Sequence, residues 1–339
     1  MKEVDIKRDA KIDVLRGIAI VSIIFAHSGP NGIIFQLRNF DVTLMVVIMG
    51  ISFYLSNRKK EIKYFNYLRK RFKRLIIPTW KFLTLFFVTF YGISLFFQHD
   101  YYFDKGQIVN SYTTLSGIGY VWIMWVFFFV AIVSPLLLYV SRKIEDNKKY
   151  FILLIGFYIF YVVLLKIHGY FPDNIQIYFD HFILQGVGYS IIAAFGIRLK
   201  LLNKSELLFY FILFIVIFSF LLFKNDFTQT QVFKYPPTLY YFSYGLMVTL
   251  LFYVLLDISF IKKLFVNKFN SFLSRKSIWL YFWHLIPLFI LKLFGSNMQF
   301  INYNFVTRFI FLFLIALLLA FIQEFIEMKI PKRKSKSIS

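Results

Sequence analysis

Long apolar stretches recur along the whole chain, separated by short polar breaks. A helix that crosses the hydrocarbon of a bilayer needs about 20 mostly apolar residues. Ten segments answer to that description: 12–31, 39–57, 75–97, 116–140, 150–169, 177–198, 205–223, 236–257, 277–294 and 304–328. Strand-type alternation of apolar and polar positions is missing, which argues against a transmembrane β-barrel. The pattern predicts an all-α, polytopic integral membrane protein with about ten transmembrane helices. Two segments carry interruptions. The first contains Arg16 and His27 and runs into Ser28-Gly29-Pro30; the ninth contains His284 and Pro287. Neighbouring helices can re-satisfy backbone groups that a proline frees, so both segments remain compatible with membrane-spanning helices. The charges inside the first segment, and the lack of a small-x-small site after it, argue against a cleavable signal peptide.

Composition and charge sharpen the picture. Hydrophobic residues make up 59% of the 339, and only 17% are charged, against roughly a quarter in a soluble domain. A solvated surface is therefore under-supplied. The net charge of +22 would by itself suit a nucleic-acid binder. The positions of the bases decide otherwise. With the N-terminus in the cytoplasm, every Lys and Arg falls on the cytoplasmic side except Arg38, Lys105, Lys166, Lys224, Lys234, Lys292 and Arg308. That asymmetry is the positive-inside pattern, and it predicts both termini cytoplasmic and an even helix count. A nucleic-acid surface has no reason to recur with this alternation, so no nucleic-acid partner is expected. The outer loops, 98–115 and 224–235, are too short for folded domains, and 58–74 is the longest basic inner loop. The chain reads as a single transmembrane domain over 1–339, with a short cytoplasmic segment 1–11 and a basic cytoplasmic tail 329–339. It has no cysteine, so disulfides, thiolate nucleophiles and Cys-ligated metals are excluded.

Candidate chemistry lies in the ionisable residues of the apolar segments. Arg16 and His27 are eleven residues apart, within about 20° of three full turns, so they project from one helix face about 16 Å apart. A snorkelling Arg and a packing His would look the same. Inside a membrane, however, ionisable groups are costly and are functional hypotheses by default. Arg71 and Arg74, at i and i+3, share a face just before Pro78, a residue that signals a helix start. Two guanidinium forks near a helix N-terminus make a natural phosphate site. Ordinary basic-loop topology or lipid contact explains them equally well. His284 lies seven residues after Ser277, near the same face, and is either part of a polar cavity or an interhelical hydrogen bond. His168, Asp173, Asp180 and His181 cluster near the outer side and line an acceptor cleft or simply sit at the solvated interface. No phosphate-binding loop, nucleophile elbow or H-E-x-x-H motif is present, and five scattered histidines without cysteine predict no metal site.

The stretch from Asp13 through Arg16, Gly17 and Ala19 to His27 and Ser28 resembles the opening helix of acyltransferase family 3, which carries an Arg, ten residues, then a His. Arg71, Arg74 and Pro78 match that family's Arg-x-x-Arg before a Pro, and Ser277 to His284 is similar to its penultimate helix. Trp122 to Pro135 resembles its fourth helix, and Lys234-Tyr-Pro-Pro-Thr-Leu-Tyr240 is similar to a segment of some members. One motif departs: where many members have Ser-Gly in the second helix, this chain has Met49-Gly50, so any role of that serine is absent or shifted to Ser52. Some members continue into an esterase-like domain. This chain reaches Ser339 without one and reads as a single-domain member.

The resemblance implies an enzyme that moves an acyl group, usually acetyl, from cytoplasmic acyl-CoA to a hydroxyl of a polysaccharide or lipid-linked oligosaccharide on the far side of a bacterial plasma membrane. Acetyl-CoA or another short acyl-CoA is the implied donor. Arg16, Arg71 and Arg74 would hold the CoA polyanion. His27, with Arg16 and His284, would be catalytic, His27 serving as general base or as a covalent acyl relay. Two other classes compete: a transporter or flippase for lipid-linked glycans, and a non-catalytic scaffold of a polysaccharide synthesis complex. A homo-oligomer is left open.

Overall fold

The computed structural model describes residues 9–115 and 117–329. Those residues are mainly α-helical and form no strands. The helices are α1 (Ala10–His27), α2 (Gly32–Leu37), α3 (Asp41–Asn57), α4 (Tyr64–Phe96), α5 (Lys105–Tyr112), α6 (Trp122–Lys143), α7 (Asn147–His168) and α8 (Asp173–Phe179). A π-helical turn, Asp180–Leu184, joins α8 to α9 (Gln185–Leu199). Then follow α10 (Lys204–Lys224), α11 (Leu239–Leu255), α12 (Ser259–Phe265), α13 (Lys268–Trp283), α14 (Leu285–Phe294), α15 (Gln299–Asn302) and α16 (Phe305–Lys329).

Among the described residues, eight helical stretches are long and apolar enough to cross a membrane: α2 with α3, α4, α6, α7, α8 with α9, α10, α13 with α14, and α16. A ninth is α11 together with α12, bent by 99°. Of the ten predicted segments, the remaining one is α1, whose 18 residues include Lys11, Asp13 and Arg16. Its surroundings explain how it carries them. Ile12, Val14, Leu15, Ala19, Ile20, Ile23 and Ile24 are all buried, because α13, α3 and α16 pack around it. Protein side chains rather than lipid thus face its polar groups.

Cross-chain bonds sort the helix ends into two layers. At one end, Lys11 at the start of α1 binds Asp257 after α11 at 2.7 Å, Lys200 after α9 binds Asp9 at 2.6 Å, and Lys276 on α13 binds Glu327 near the end of α16 at 2.7 Å. Arg198 at the end of α9 is almost fully buried. It donates to Asn147 Oδ1 at 2.6 Å, to the Ser141 carbonyl at 2.8 Å and to the Glu145 carbonyl, which clamps the turn between α6 and α7. This is the end rich in Lys and Arg. At the opposite end, Asn39 donates to Thr230 Oγ1 at 2.7 Å, the Tyr161 hydroxyl to the Pro237 carbonyl at 2.9 Å, and the Tyr244 hydroxyl to the Leu37 carbonyl at 2.8 Å.

Helices α3 and α9 cross with their backbones in contact. A Cβ on Gly50 would strike the Ala193 carbonyl oxygen, and one on Gly196 would strike the Val47 carbonyl. Small residues at matching positions let two backbones approach, the usual device of membrane helix pairs. Gly50 is therefore needed for packing whatever residue precedes it, so Met49 can replace a serine there without opening this crossing.

Three predicted boundaries are corrected. The first segment was expected to run to 31, but α1 ends at His27, where Gly29 turns the chain at φ +70° and Pro30 follows. Helix α4 begins at Tyr64 rather than 75, so 64–74 is helix and the inner loop shrinks to 58–63. Tyr67, Leu68, Arg71 and Phe72 form its half-buried stripe at helical spacing, which the dense basic residues hide from a hydropathy reading. Pro78 accordingly lies in the helix interior, and Arg71 and Arg74 do not stand at a helix N-terminus. The ninth segment begins at Lys268 rather than 277 and, while remaining one stretch long enough to cross, is divided at His284 into α13 and α14. Pro287 stands in the first turn of α14, where its missing N–H leaves the carbonyl four residues back without a helical partner.

Candidate functional site

Helix α1 projects two polar side chains toward α13, one from each end. At the basic end, Arg16 donates from Nη2 to Ser52 Oγ on α3 at 2.8 Å and from Nη1 to Ser274 Oγ on α13 at 3.0 Å. Ser274 in turn donates to Asp13 at 2.7 Å. The planar fork of one guanidinium thus ties three helices together, a geometry that an ammonium cannot reproduce.

At the other end, His27 and His284 each occupy a helix terminus, where the chain is free to turn the ring. Their rings meet edge to edge in nearly parallel planes, 5° apart in tilt and 4.9 Å between centroids. His27 Nδ1 lies 2.7 Å from His284 Nε2, and His284 Nδ1 lies 3.3 Å from the Leu280 carbonyl. A carbonyl oxygen can only accept, so His284 carries its proton on Nδ1 and its Nε2 is a lone pair. That lone pair accepts the proton of His27 Nδ1. His27 Nε2 is then also unprotonated and, unlike His284 Nε2, is not occupied by the bond between the rings, as a base requires. The order carbonyl, histidine, histidine fixes one tautomer, as a second group behind a catalytic His commonly does.

His27 lines a cavity of about 120 Å³ at the end opposite the basic layer. Its wall also contains Arg38, Asp41, Trp122, Gln231, Lys234 and Tyr281. Tyr120 stands edge-on to His27 at 4.8 Å, and the Tyr281 hydroxyl donates to the Tyr120 carbonyl, which pins the 117–121 turn over the imidazole. Asp41, Arg38 and Lys234 are 2%, 6% and 4% exposed. Arg38 Nη1 is 3.0 Å from Asp41 Oδ2, and Lys234 Nζ is 3.7 Å from Asp41 Oδ1. Burial alone would lower the Lys234 ammonium, but the neighbouring Asp41 carboxylate, with Tyr235 and Tyr241, holds it above the ordinary lysine value, so it stays charged.

The remaining sequence candidates scatter. Arg71 is half-buried with its guanidinium 5.0 Å from the Tyr67 ring, and Arg74 is exposed one turn further on. His168 Nε2 lies 3.1 Å from Asp180, while His181 is buried one residue further along the π-helical turn and Asp173 is exposed at the start of α8. Ser277 is buried on α13, between Ser274 and His284. Among the described residues no group of three or more His, Asp or Glu is arranged to hold a metal ion. Sequence reasoning missed Asp41 and did not single out Arg38 or Gln231. The signal for Asp41 was available, since it is an acid at the edge of an apolar segment.

No curated protein and no solved structure matches the chain. A family model described as an acyltransferase domain, that of acyltransferase family 3, matches residues 9–323, from the N-cap of α1 into α16. That match covers nearly the whole protein, including the histidine pair, the arginine fork and the cavity between the helices, and the chain belongs to acyltransferase family 3, as a membrane acyltransferase.

Proposed function

We propose that this protein takes an acyl group, usually acetyl, from acyl-CoA at the basic, cytoplasmic end and transfers it to a hydroxyl of an extracytoplasmic or lipid-linked polysaccharide at the other end. The observation that carries this reading is the hydrogen-bonded pair of His27 and His284, which leaves Nε2 of His27 unprotonated in a residue that lines the same cavity as Arg38, Asp41 and Lys234. His27 is the general base: it takes the proton of the acceptor hydroxyl as the oxygen attacks the thioester carbonyl. His284 orients the ring. Arg16, Arg71 and Arg74 meet the phosphates of CoA at the opposite end. The eleven-residue offset of His27 from Arg16 puts the two ends of the task about 16 Å apart, a reach that suits an extended pantetheine arm. On this reading residues 1–339 form one domain, α1 is the tenth membrane-spanning helix, both termini are cytoplasmic, and the protein resides in the bacterial plasma membrane.

The test uses membranes that carry the full chain and labelled acetyl-CoA, and follows label into carbohydrate. His27→Ala should abolish incorporation while the protein remains in the membrane. Persistent acylation would disprove the role of His27. A transporter or scaffold would move no label at all, in the parent protein or the variant.

A further inference from the structure

The cavity beside His27 contains one more cation than its acid can neutralise. Arg38 from the end of α2 and Lys234 from the loop before α11 both lie against the single carboxylate of Asp41, and all three side chains are buried. One cation would suffice to pair Asp41. A second buried cation is expensive in a membrane protein unless it has a task. Arg38 Nε is buried as well and has no hydrogen-bond partner in the structure. Two cationic donors thus border the same small space as His27, with unused capacity for an oxygen-centred anion.

We propose that Lys234 and Arg38, held in place by Asp41, take up the negative charge that develops on the acyl carbonyl oxygen during transfer. This rests on the reading of His27 as the base. In the step itself His27 Nε2 removes the hydroxyl proton, the acceptor oxygen bonds to the thioester carbon, and the π electrons of the carbonyl move to its oxygen. Collapse of that tetrahedral species restores the carbonyl, breaks the carbon–sulfur bond and releases CoA thiolate, which takes the proton back from His27. Every atom and charge is accounted for without a further reactant. The thioester is neutral and the tetrahedral species is anionic, so a fixed surplus cation binds the second more tightly than the first. That difference is what lowers a barrier. The charge balance also separates this role from a structural one: removing Lys234 leaves a neutral Arg38–Asp41 pair, so the fold should survive.

The experiment measures CoA thiol released from acetyl-CoA by the reconstituted full chain, with glycan extracted from the producing cells as acceptor. The chain has no cysteine to contribute thiol background. Lys234→Met should lower turnover about 10²–10³-fold, the usual effect of deleting one oxyanion donor, with the KM for acetyl-CoA and the thermal midpoint little changed. Lys234→Arg should recover part of the loss, and Arg38→Gln should likewise lower turnover while leaving the Lys234–Asp41 pair. Full turnover in Lys234→Met, or a loss expressed only in KM, would overturn the proposal. So would failure of both Lys234→Met and Arg38→Gln to accumulate in the membrane, since neither cation would then be surplus. An active His27→Ala variant would instead remove the reading on which the proposal rests.

Discussion

His27 Nδ1 and His284 Nε2 lie 2.7 Å apart, across the gap between the end of α1 and the break that divides α13 from α14. Two residues 257 positions apart in the chain thereby share one proton position. His284→Ala should leave His27 present but free to take the wrong tautomer. Loss of a tautomer-fixing partner costs about 10²–10⁴ in turnover. His284→Gln, whose amide oxygen can accept from His27 Nδ1, should retain more activity than His284→Ala. Steady-state kinetics on the two variants checks the order, and equal activity would show that His284 has no orienting role.

Arg16 reaches Ser52 and Ser274 with separate nitrogens. Arg16→Lys keeps the charge but has one nitrogen for two hydroxyls on different helices. It should lose most of the function that Arg16→Ala loses, with an increased KM for acetyl-CoA as the main kinetic signature. Full activity in Arg16→Lys would mean that charge alone matters there.

Backbone contact at Gly50 and Gly196 leaves no room for a methyl group. Gly50→Ala and Gly196→Ala should each destabilise the detergent-solubilised protein by about 1–3 kcal/mol, the ordinary cost of overpacking. Thermal unfolding followed by loss of monodisperse protein measures this. An unchanged midpoint in both would mean that α3 and α9 cross less closely than described.

Arg198 satisfies two carbonyl oxygens and one amide oxygen around the α6–α7 turn. Arg198→Lys cannot reach all three acceptors, and stranding the buried Ser141 carbonyl alone costs about 1–3 kcal/mol. The variant should therefore unfold at a clearly lower temperature, while transfer kinetics measured below that temperature stay near those of the parent.

The topology is open to direct labelling because the native chain has no cysteine. A membrane-impermeant thiol reagent added to intact cells should label Asp226→Cys, in the exposed turn after α10, and spare Lys148→Cys, at the start of α7. The reverse result would invert the orientation and move the His27 cavity to the cytoplasmic side.

Much of the fold could be read from hydropathy. Each of the ten apolar segments overlaps a helix, because in a bilayer the backbone must satisfy itself within one element. The boundaries that failed did so where a local rule outweighed composition: Gly29 and Pro30 stop α1, and a stripe of Tyr67, Leu68, Arg71 and Phe72 starts α4 among basic residues. Within the site, Arg16, His27 and His284 stood out as ionisable groups inside apolar runs. Their partners did not. Arg38 and Lys234 sit at segment ends, where charge is ordinary, and no periodicity joins position 41 to position 234. Such a pairing exists only once the helices are packed. The bond between the histidines was invisible for the same reason.

Helix α1 comes first in the chain, yet it depends on partners that come much later. Lys11, Asp13 and Arg16 make it a poor candidate to enter the hydrocarbon alone, and the groups that accept those charges include Asp257 and Ser274. Its final placement must therefore wait until α11 and α13 have been made. A chain truncated before α13 should leave its first helix without the Ser274 contacts of Arg16 and Asp13, so the opening segment is secured only by a helix near the far end of the sequence.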